Sequence, residues 1–136
     1  MSEVRGGCLC GGLRYTLNSE PKSVTICHCS HCQKSSGSAF SVNVIAAEAD
    51  LSFAGEMAAY PDKADSGNTL NRRFCPKCGS SIGSQSAARP GMFVLKAGTL
   101  DDPSSLTGVI DQIWTRSAQP WVKFAFETPS FERARA

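Results

Sequence analysis

Three of the seven cysteines of this chain lie within the stretch CHCSHC, residues 27–32. The other four form two pairs, CLC at residues 8–10 and CPKC at residues 75–78. Thiolates separated by one or two residues can bind one metal ion, because the short loop between them aims both sulfurs inward. Zinc is the usual metal for such sets, since it prefers sulfur and nitrogen ligands in a tetrahedron. Seven thiolates divide into four and three, which predicts one closed zinc site and one with an open position.

Length and composition place the chain among small globular proteins. Of its 136 residues, 41% are hydrophobic and 19% are charged, which suits a single domain. The net charge of +2 is too small to indicate a nucleic-acid partner. No apolar run approaches the roughly 18 residues of a membrane span, and the N-terminus lacks the apolar stretch of a signal peptide. We therefore expect a cytoplasmic protein, in which clustered cysteines bind metal more often than they form disulfides.

Short runs of alternating apolar and polar residues, separated by glycine and proline, predict a mainly β fold. Seven strands are expected, at residues 13–17, 40–44, 51–53, 57–60, 70–74, 92–97 and 109–114. The third and fourth of these flank Gly55-Glu56, which predicts a hairpin. The interpretation is therefore a fold of short strands with frequent turns.

The remaining segments predict loops and short helical turns. Residues 61–68 are polar and rich in turn formers, which indicates an exposed loop. Helical character is limited to one turn around residues 32–36 and another around 104–106. We expect one domain over residues 1–136, with a loosely held tail at 130–136. The sequence leaves the oligomeric state open.

The first and third cysteine clusters have the features of a structural zinc site. In each pair a glycine, Gly11 or Gly79, follows the second cysteine and permits the positive φ that the turn needs. Backbone N–H groups of such turns can point at the sulfurs. Disulfides or free thiols are the alternative, which the expected compartment and the odd cysteine count disfavour. The predicted ligands of this structural ion are Cys8, Cys10, Cys75 and Cys78.

The middle cluster keeps three thiolates, Cys27, Cys29 and Cys32, and contains two histidines. An open three-cysteine zinc site would bind and activate a thiol at its fourth position. His28 or His31 could instead close the shell and make a second structural site. A third alternative is a metal-free redox dithiol built on Cys29 and Cys32. The sequence does not choose among the three.

Five segments resemble, in the same order, the glutathione-dependent formaldehyde-activating enzyme family. The resemblance runs from about residue 6 to residue 121, nearly the whole chain. The segments that carry it are GCLCGGLRY at 7–15, CHCSHCQKSSG at 27–37, RFCPKCGS at 73–80, GTLDDP at 98–103, and residues 114–121.

The resemblance implies a fold, two cofactors and a reaction. The fold is of the β-tent type, with two zinc sites. The structural zinc is assigned to Cys8, Cys10, Cys75 and Cys78, and the catalytic zinc to Cys27, Cys29 and Cys32. The reaction joins glutathione and formaldehyde to give S-hydroxymethylglutathione, which is a carbon–sulfur lyase reaction run in reverse. The implied partners are therefore a small-molecule thiol and an aldehyde, and not a nucleic acid or a membrane.

Substrate contacts are harder to identify from sequence. Glutathione carries two carboxylates, so its pocket requires cations and backbone N–H groups. Basic residues lie beside the clusters at Lys34 and at Arg72-Arg73, while Ser38 and Phe40 follow the CHCSHC stretch. The candidate substrate-binding residues are Lys34, Ser38, Phe40 and Arg73.

Two other interpretations remain open at this stage. The enzyme could use a different thiol or aldehyde. The chain could also be a non-catalytic interaction module with two structural zinc ions. That module would present an exposed interaction surface, whereas an enzyme would have a pocket beside residues 27–32.

Overall fold

The computed structural model describes residues 3–64, 66–106 and 111–134. Within them, ten short strands and one α-helix follow one another along the chain. Their bounds are β1 Val4–Gly7, β2 Arg14–Leu17, β3 Ser23–Cys27, α1 Ser30–Ser36, β4 Ser41–Ala47, β5 Leu51–Ala54, β6 Ala58–Lys63, β7 Thr69–Phe74, β8 Ser81–Ser86, β9 Met92–Lys96 and β10 Asp111–Ile113. Single 3₁₀ turns occupy Glu48–Asp50, Ala97–Thr99, Pro103–Ser105 and Thr115–Ser117.

The strands form two sheets. The smaller sheet has the order β1-β2-β5, and the larger has the order β10-β3-β4-β9-β8-β7-β6. Every strand pair is antiparallel except β10 and β3, which run parallel. The predicted mainly β fold of short, largely antiparallel strands is confirmed. No helix in the described residues is long and apolar enough to cross a membrane.

The hydrophobic core lies between the two sheets. Phe93 of β9 is fully buried, and its ring lies 5.2 Å from that of Phe53 on β5 of the smaller sheet. Because side chains alternate along a strand, Leu95 and Val44 point to the same side as Phe93, and both have no exposed surface. Burial of these apolar side chains is what holds the two sheets together.

The opposite face of the larger sheet carries a row of buried polar residues. Thr25 on β3, Asn43 on β4 and Lys96 on β9 are direct neighbours across the strands. Cys27 ends β3 two residues after Thr25 and therefore points to this same face. All four side chains are at most 9% exposed. Lysine is seldom buried in a hydrophobic core, so the burial of Lys96 beside Cys27 indicates that this face has a role other than hydrophobic packing.

The predicted hairpin around Gly55 is wrong. β5 pairs with β2 in the smaller sheet, whereas β6 pairs with β7 at the edge of the larger one. Gly55 has φ of 104°, and a Cβ there would lie 1.9 Å from the carbonyl oxygen of Gly12. Glycine is therefore needed at this position, because the backbone passes very close to the β1–β2 loop as the chain crosses from one sheet to the other.

Two other local predictions need correction. The predicted loop 61–68 is shorter, because β6 continues to Lys63; Pro61 is tolerated there since β6 is an edge strand. The predicted loose tail is held for most of its length, since the backbones of residues 129–133 and 112–116 exchange hydrogen bonds of 2.9–3.2 Å. In the predicted strand 109–114, residues 109 and 110 lie outside the described part of the chain.

The helix α1 begins earlier than the predicted turn at residues 32–36. Cys29 is its N-cap, and the Cys29 sulfur accepts a hydrogen bond from the backbone N–H of Cys32 at 3.3 Å. Gly37 ends the helix in the left-handed conformation, with φ of 66°. The second predicted turn, at 104–106, is present as the 3₁₀ turn Pro103–Ser105.

Candidate metal centres and the adjoining cavity

The first and third cysteine clusters meet in space and form a four-sulfur group. Its ligand atoms all lie within 4.8 Å of one another. The Cys10 sulfur is 3.5 Å from that of Cys8 and 3.8 Å from that of Cys75. A tetrahedral zinc with bonds of about 2.3 Å requires sulfur–sulfur separations of about 3.8 Å. The four sulfurs, of Cys8, Cys10, Cys75 and Cys78, therefore fit a zinc ion.

Backbone N–H groups surround this four-sulfur group, as the sequence predicted. Leu13 donates to the Cys8 sulfur at 3.2 Å, and Gly12 donates to the Cys10 sulfur at 3.4 Å. The hydroxyl of Ser80 lies 3.2 Å from the Cys78 sulfur and lowers the pKa of that thiol to about 5. Hydrogen bonds of this kind favour the thiolate, which is the form that binds metal.

A metal in the four-sulfur group would link the two sheets. One cysteine pair lies in the loop between β1 and β2, and the other lies between β7 and β8. Gly79 has φ of 77° and donates its N–H to the carbonyl of Cys75 at 2.8 Å, which closes the second loop. The geometry is that of a closed site with no position left for a substrate.

The middle cluster forms a separate three-sulfur group. The sulfurs of Cys27, Cys29 and Cys32 lie within 4.8 Å of one another, and the three residues are 4–7% exposed. Hydrogen bonds from the thiols of Cys27 and Cys29 lower the pKa of Cys32. The same hydrogen bonding raises the pKa of Cys27. The end of β3 and the first turn of α1 thus place three thiols where one divalent metal can replace their protons.

Neither histidine of the CHCSHC stretch joins the three-sulfur group in the described structure. His28 is 1% exposed; its Nε2 lies 2.8 Å from Oε1 of Gln112, and its ring lies 6.0 Å from that of Phe40. The Nδ1 of His31 lies 2.8 Å from a carboxylate oxygen of Asp62. The geometry therefore favours an open three-sulfur shell over one closed by a histidine.

A cavity of about 200 Å³ adjoins the three-sulfur group on the face of the larger sheet that carries Asn43 and Lys96. It is smaller than the roughly 300–1,000 Å³ of clefts that hold drug-sized ligands. Its walls include the three cysteines, strand side chains from β3, β4, β7, β8 and β9, and Trp114 and Ala134 beyond β10. The space beside the thiols suits a small molecule or the reactive end of a larger one.

Lys96 places a buried amino group at this cavity. Its Nζ donates to Oδ1 of Asn43 at 3.0 Å, and the hydroxyl of Ser41 donates to the same oxygen at 3.2 Å. Burial lowers the pKa of Lys96, while the neighbouring thiolates oppose that shift. No carboxylate lies within 4.0 Å of its ammonium in the part of the chain described. The sequence reasoning missed Lys96; the available signal was a lysine two residues after Val94 in an otherwise apolar strand.

A second cavity, of about 410 Å³, lies next to the first. Arg72 borders both, and its Nε donates to a carboxylate oxygen of Asp62 at 2.8 Å. Hydrogen bonding to His31 and to Arg72 lowers the pKa of Asp62. The other residues around this second cavity are Ser30, Lys34, Ser35 and Tyr60.

The four predicted substrate-binding residues fall in different places. Lys34 borders the second cavity, but Ser38, Phe40 and Arg73 border neither of the two. Phe40 packs its ring at 5.3 Å from that of Phe124. Arg73 donates to Oε1 of Gln85 at 2.8 Å, on the opposite face of β7 from Arg72. The alternation of the strand thus brings Arg72 to the cavities and turns Arg73 away.

Fold and site together define a small, mainly β protein with one closed and one open cysteine group. The model of the glutathione-dependent formaldehyde-activating enzyme family matches residues 3–117, and the chain belongs to that family. No curated protein matches the sequence. A crystal structure of a Rhodobacter sphaeroides protein, a structural genomics target, is similar with a TM-score of 0.58 and 22% identity; the match covers 77% of this chain and 96% of that one. At this identity the structural likeness supports the fold alone.

Proposed function

We propose that the protein is a zinc-dependent carbon–sulfur lyase that joins a thiol to an aldehyde, with glutathione and formaldehyde as its substrates. The observation that carries the proposal is the open three-sulfur group of Cys27, Cys29 and Cys32 beside a cavity. Family membership supports the choice of substrates. An interaction module would need no cavity at this position, so the geometry favours an enzyme.

The two cysteine groups take different roles in this proposal. Zinc at the four-sulfur group is structural, since all four tetrahedral positions are filled by the chain. Zinc at the three-sulfur group would supply one open position, at which a thiol loses its proton near neutral pH. The protein places the two reactants next to each other, and for so small an aldehyde this placement is the main source of the rate enhancement.

The addition itself needs little from the protein beyond orientation and a proton. The thiolate sulfur attacks the aldehyde carbon, the carbon–sulfur bond forms, and the electron pair of the carbonyl moves to oxygen. That oxygen then takes a proton and becomes the hydroxyl of the adduct. Ile45, Val94 and Ile113 line the cavity with apolar surface. Apolar walls of this kind keep water away from the bond that forms.

Glutathione is larger than the cavity beside the three cysteines. We place its thiol in that cavity and its carboxylates toward the second cavity, where Lys34 and Arg72 supply positive charge. Arg72 borders both spaces, so one extended ligand can reach from one to the other. The proposal gives no substrate role to Ser38, Phe40 or Arg73.

The test is the rate of glutathione–formaldehyde adduct exchange, followed by NMR with zinc-loaded protein. We expect acceleration by the wild type and none by Cys29→Ser, which loses one of the three sulfurs but keeps the four-sulfur group. Bound zinc should fall from two ions per chain to one. The control is Ala54→Ser, which adds a hydroxyl at an exposed position of β5 in the other sheet. Two-zinc wild-type protein that does not exceed the uncatalysed rate would refute the activity.

A further inference from the structure

Lys96 carries a buried amino group whose hydrogen-bonding capacity is largely unused. The side-chain nitrogen of lysine has two N–H donors when neutral and three when protonated, and among the described residues it uses one, to Asn43 at 3.0 Å. Its residue is 9% exposed, and it borders the cavity together with Cys27, Cys29 and Cys32. No hydrogen bond joins its ammonium to any of the three sulfurs within the described structure. The remaining donors are therefore available to a molecule in the cavity.

The position of Lys96 is held by its surroundings. Asn43 and Lys96 are direct neighbours across β4 and β9, so their side chains lie on the same face. The hydroxyl of Ser41 donates to the same acceptor oxygen of Asn43 at 3.2 Å. A lysine fixed in this way is pre-organised and does not have to be recruited from solvent when a substrate binds.

We propose that Lys96 is a catalytic residue that carries the proton of the addition, from the substrate thiol to the oxygen of the aldehyde. This inference rests on the proposed thiol–aldehyde reaction at the three-sulfur group. In its neutral form the amine takes the thiol proton as the thiol enters the cavity. In its ammonium form it donates a hydrogen bond to the aldehyde oxygen.

The proton balance of this scheme closes without a further reactant. The sulfur–hydrogen bond breaks and its proton passes to Nζ of Lys96. The thiolate then forms the carbon–sulfur bond, and the carbonyl π electrons become a lone pair on oxygen. Nζ returns the proton to that oxygen, which leaves the amine neutral and the adduct as a hydroxymethyl thioether. Nothing is oxidised or reduced, and solvent contributes no net proton.

The simpler alternative is that Lys96 only balances charge. Three thiolates and a divalent metal carry a net charge of −1, which one ammonium would neutralise. Two substitutions separate the alternatives. Lys96→Arg keeps the positive charge, but a guanidinium does not release its proton in a protein. Lys96→Met removes both the charge and the proton while keeping a long side chain.

The experiment measures kcat and KM for adduct formation from glutathione and formaldehyde, together with bound zinc, in both variants. We expect kcat to fall by about 10²–10⁴-fold in Lys96→Met and in Lys96→Arg, with two zinc ions retained and KM for glutathione changed much less. The matched control is Lys22→Met, at an exposed position before β3, which should behave as the wild type.

Each outcome separates this inference from the proposed function. An inactive wild type refutes the function, whereas an active wild type with fully active Lys96→Arg overturns the proton-carrier role alone. If both variants lose zinc or fail to fold, the proposal is tested instead by the NMR resonance of the Lys96 side-chain nitrogen in zinc-loaded wild-type protein. It should move when glutathione alone is added, because the amine gains a proton, and an unchanged resonance would overturn the proposal.

Discussion

Replacement of Asn43 by alanine measures how much the hydrogen bonds that hold Lys96 in the cavity contribute to the stability of the protein. Oδ1 of Asn43 accepts hydrogen bonds from Lys96 at 3.0 Å and from Ser41 at 3.2 Å. Both partners are buried, with exposures of 9% and 3%. The substitution therefore leaves two buried donors, the amine of Lys96 and the hydroxyl of Ser41, without their acceptor.

The magnitude follows from the two bonds. A hydrogen bond between neutral groups contributes about 0.5–1.5 kcal/mol, and the amine of Lys96 is neutral in the free protein under the proton-carrier proposal. We expect Asn43→Ala to reduce the free energy of unfolding by about 1–3 kcal/mol. In a double-mutant cycle with Lys96→Met, about 0.5–1.5 kcal/mol of that loss should disappear, since the donor on Lys96 is then absent.

The assay is urea denaturation at a fixed free zinc concentration, because bound metal adds its own concentration-dependent stabilisation. Asn71→Ala is the matched control; Asn71 is exposed on β7, so its change should stay within about 0.5 kcal/mol. A loss for Asn43→Ala no greater than that of the control would refute the reasoning. A cycle with no coupling between Asn43 and Lys96 would refute it equally.

Two further predictions concern the core and the pH dependence of stability. Phe93→Ala should cost about 3–5 kcal/mol in urea denaturation, because Phe93 is fully buried between the sheets; a loss below about 1 kcal/mol would contradict this. The lowered pKa of Asp62 implies stability that is present above its unfolded pKa of about 3.9 and lost as pH falls through the folded value. Asp62→Asn should therefore be less stable than wild type at pH 7, and titration should show the difference shrinking below about pH 4.

Sequence alone was sufficient for features that depend on short spacings. Within each cluster one or two intervening residues keep the sulfurs close together, and both predicted groups are present; the meeting of the first and third clusters, 65 residues apart, is a tertiary contact. Gly79 adopts the predicted positive φ, with a value of 77°. Alternation along β2, β4, β7 and β9 was visible, since the side-chain period of a strand is a local property. The strands β1, β3 and β8 were not identified; β1 and β8 contain glycine, and β8 is rich in serine.

The tertiary structure decided which strands are neighbours and which face of each strand meets the cavity. Alternation shows that Arg72 and Arg73 point to opposite sides, but only the pairing of β7 with β6 and β8 shows which side is the cavity. Lys96 becomes part of the site because β4 lies beside β9, more than fifty residues away in sequence. β5 and β6 lie in different sheets because burial of Phe53 against Phe93 outweighs the local tendency to form a hairpin. Strand pairing is set by the total surface buried between sheets, a quantity that no short stretch of sequence contains.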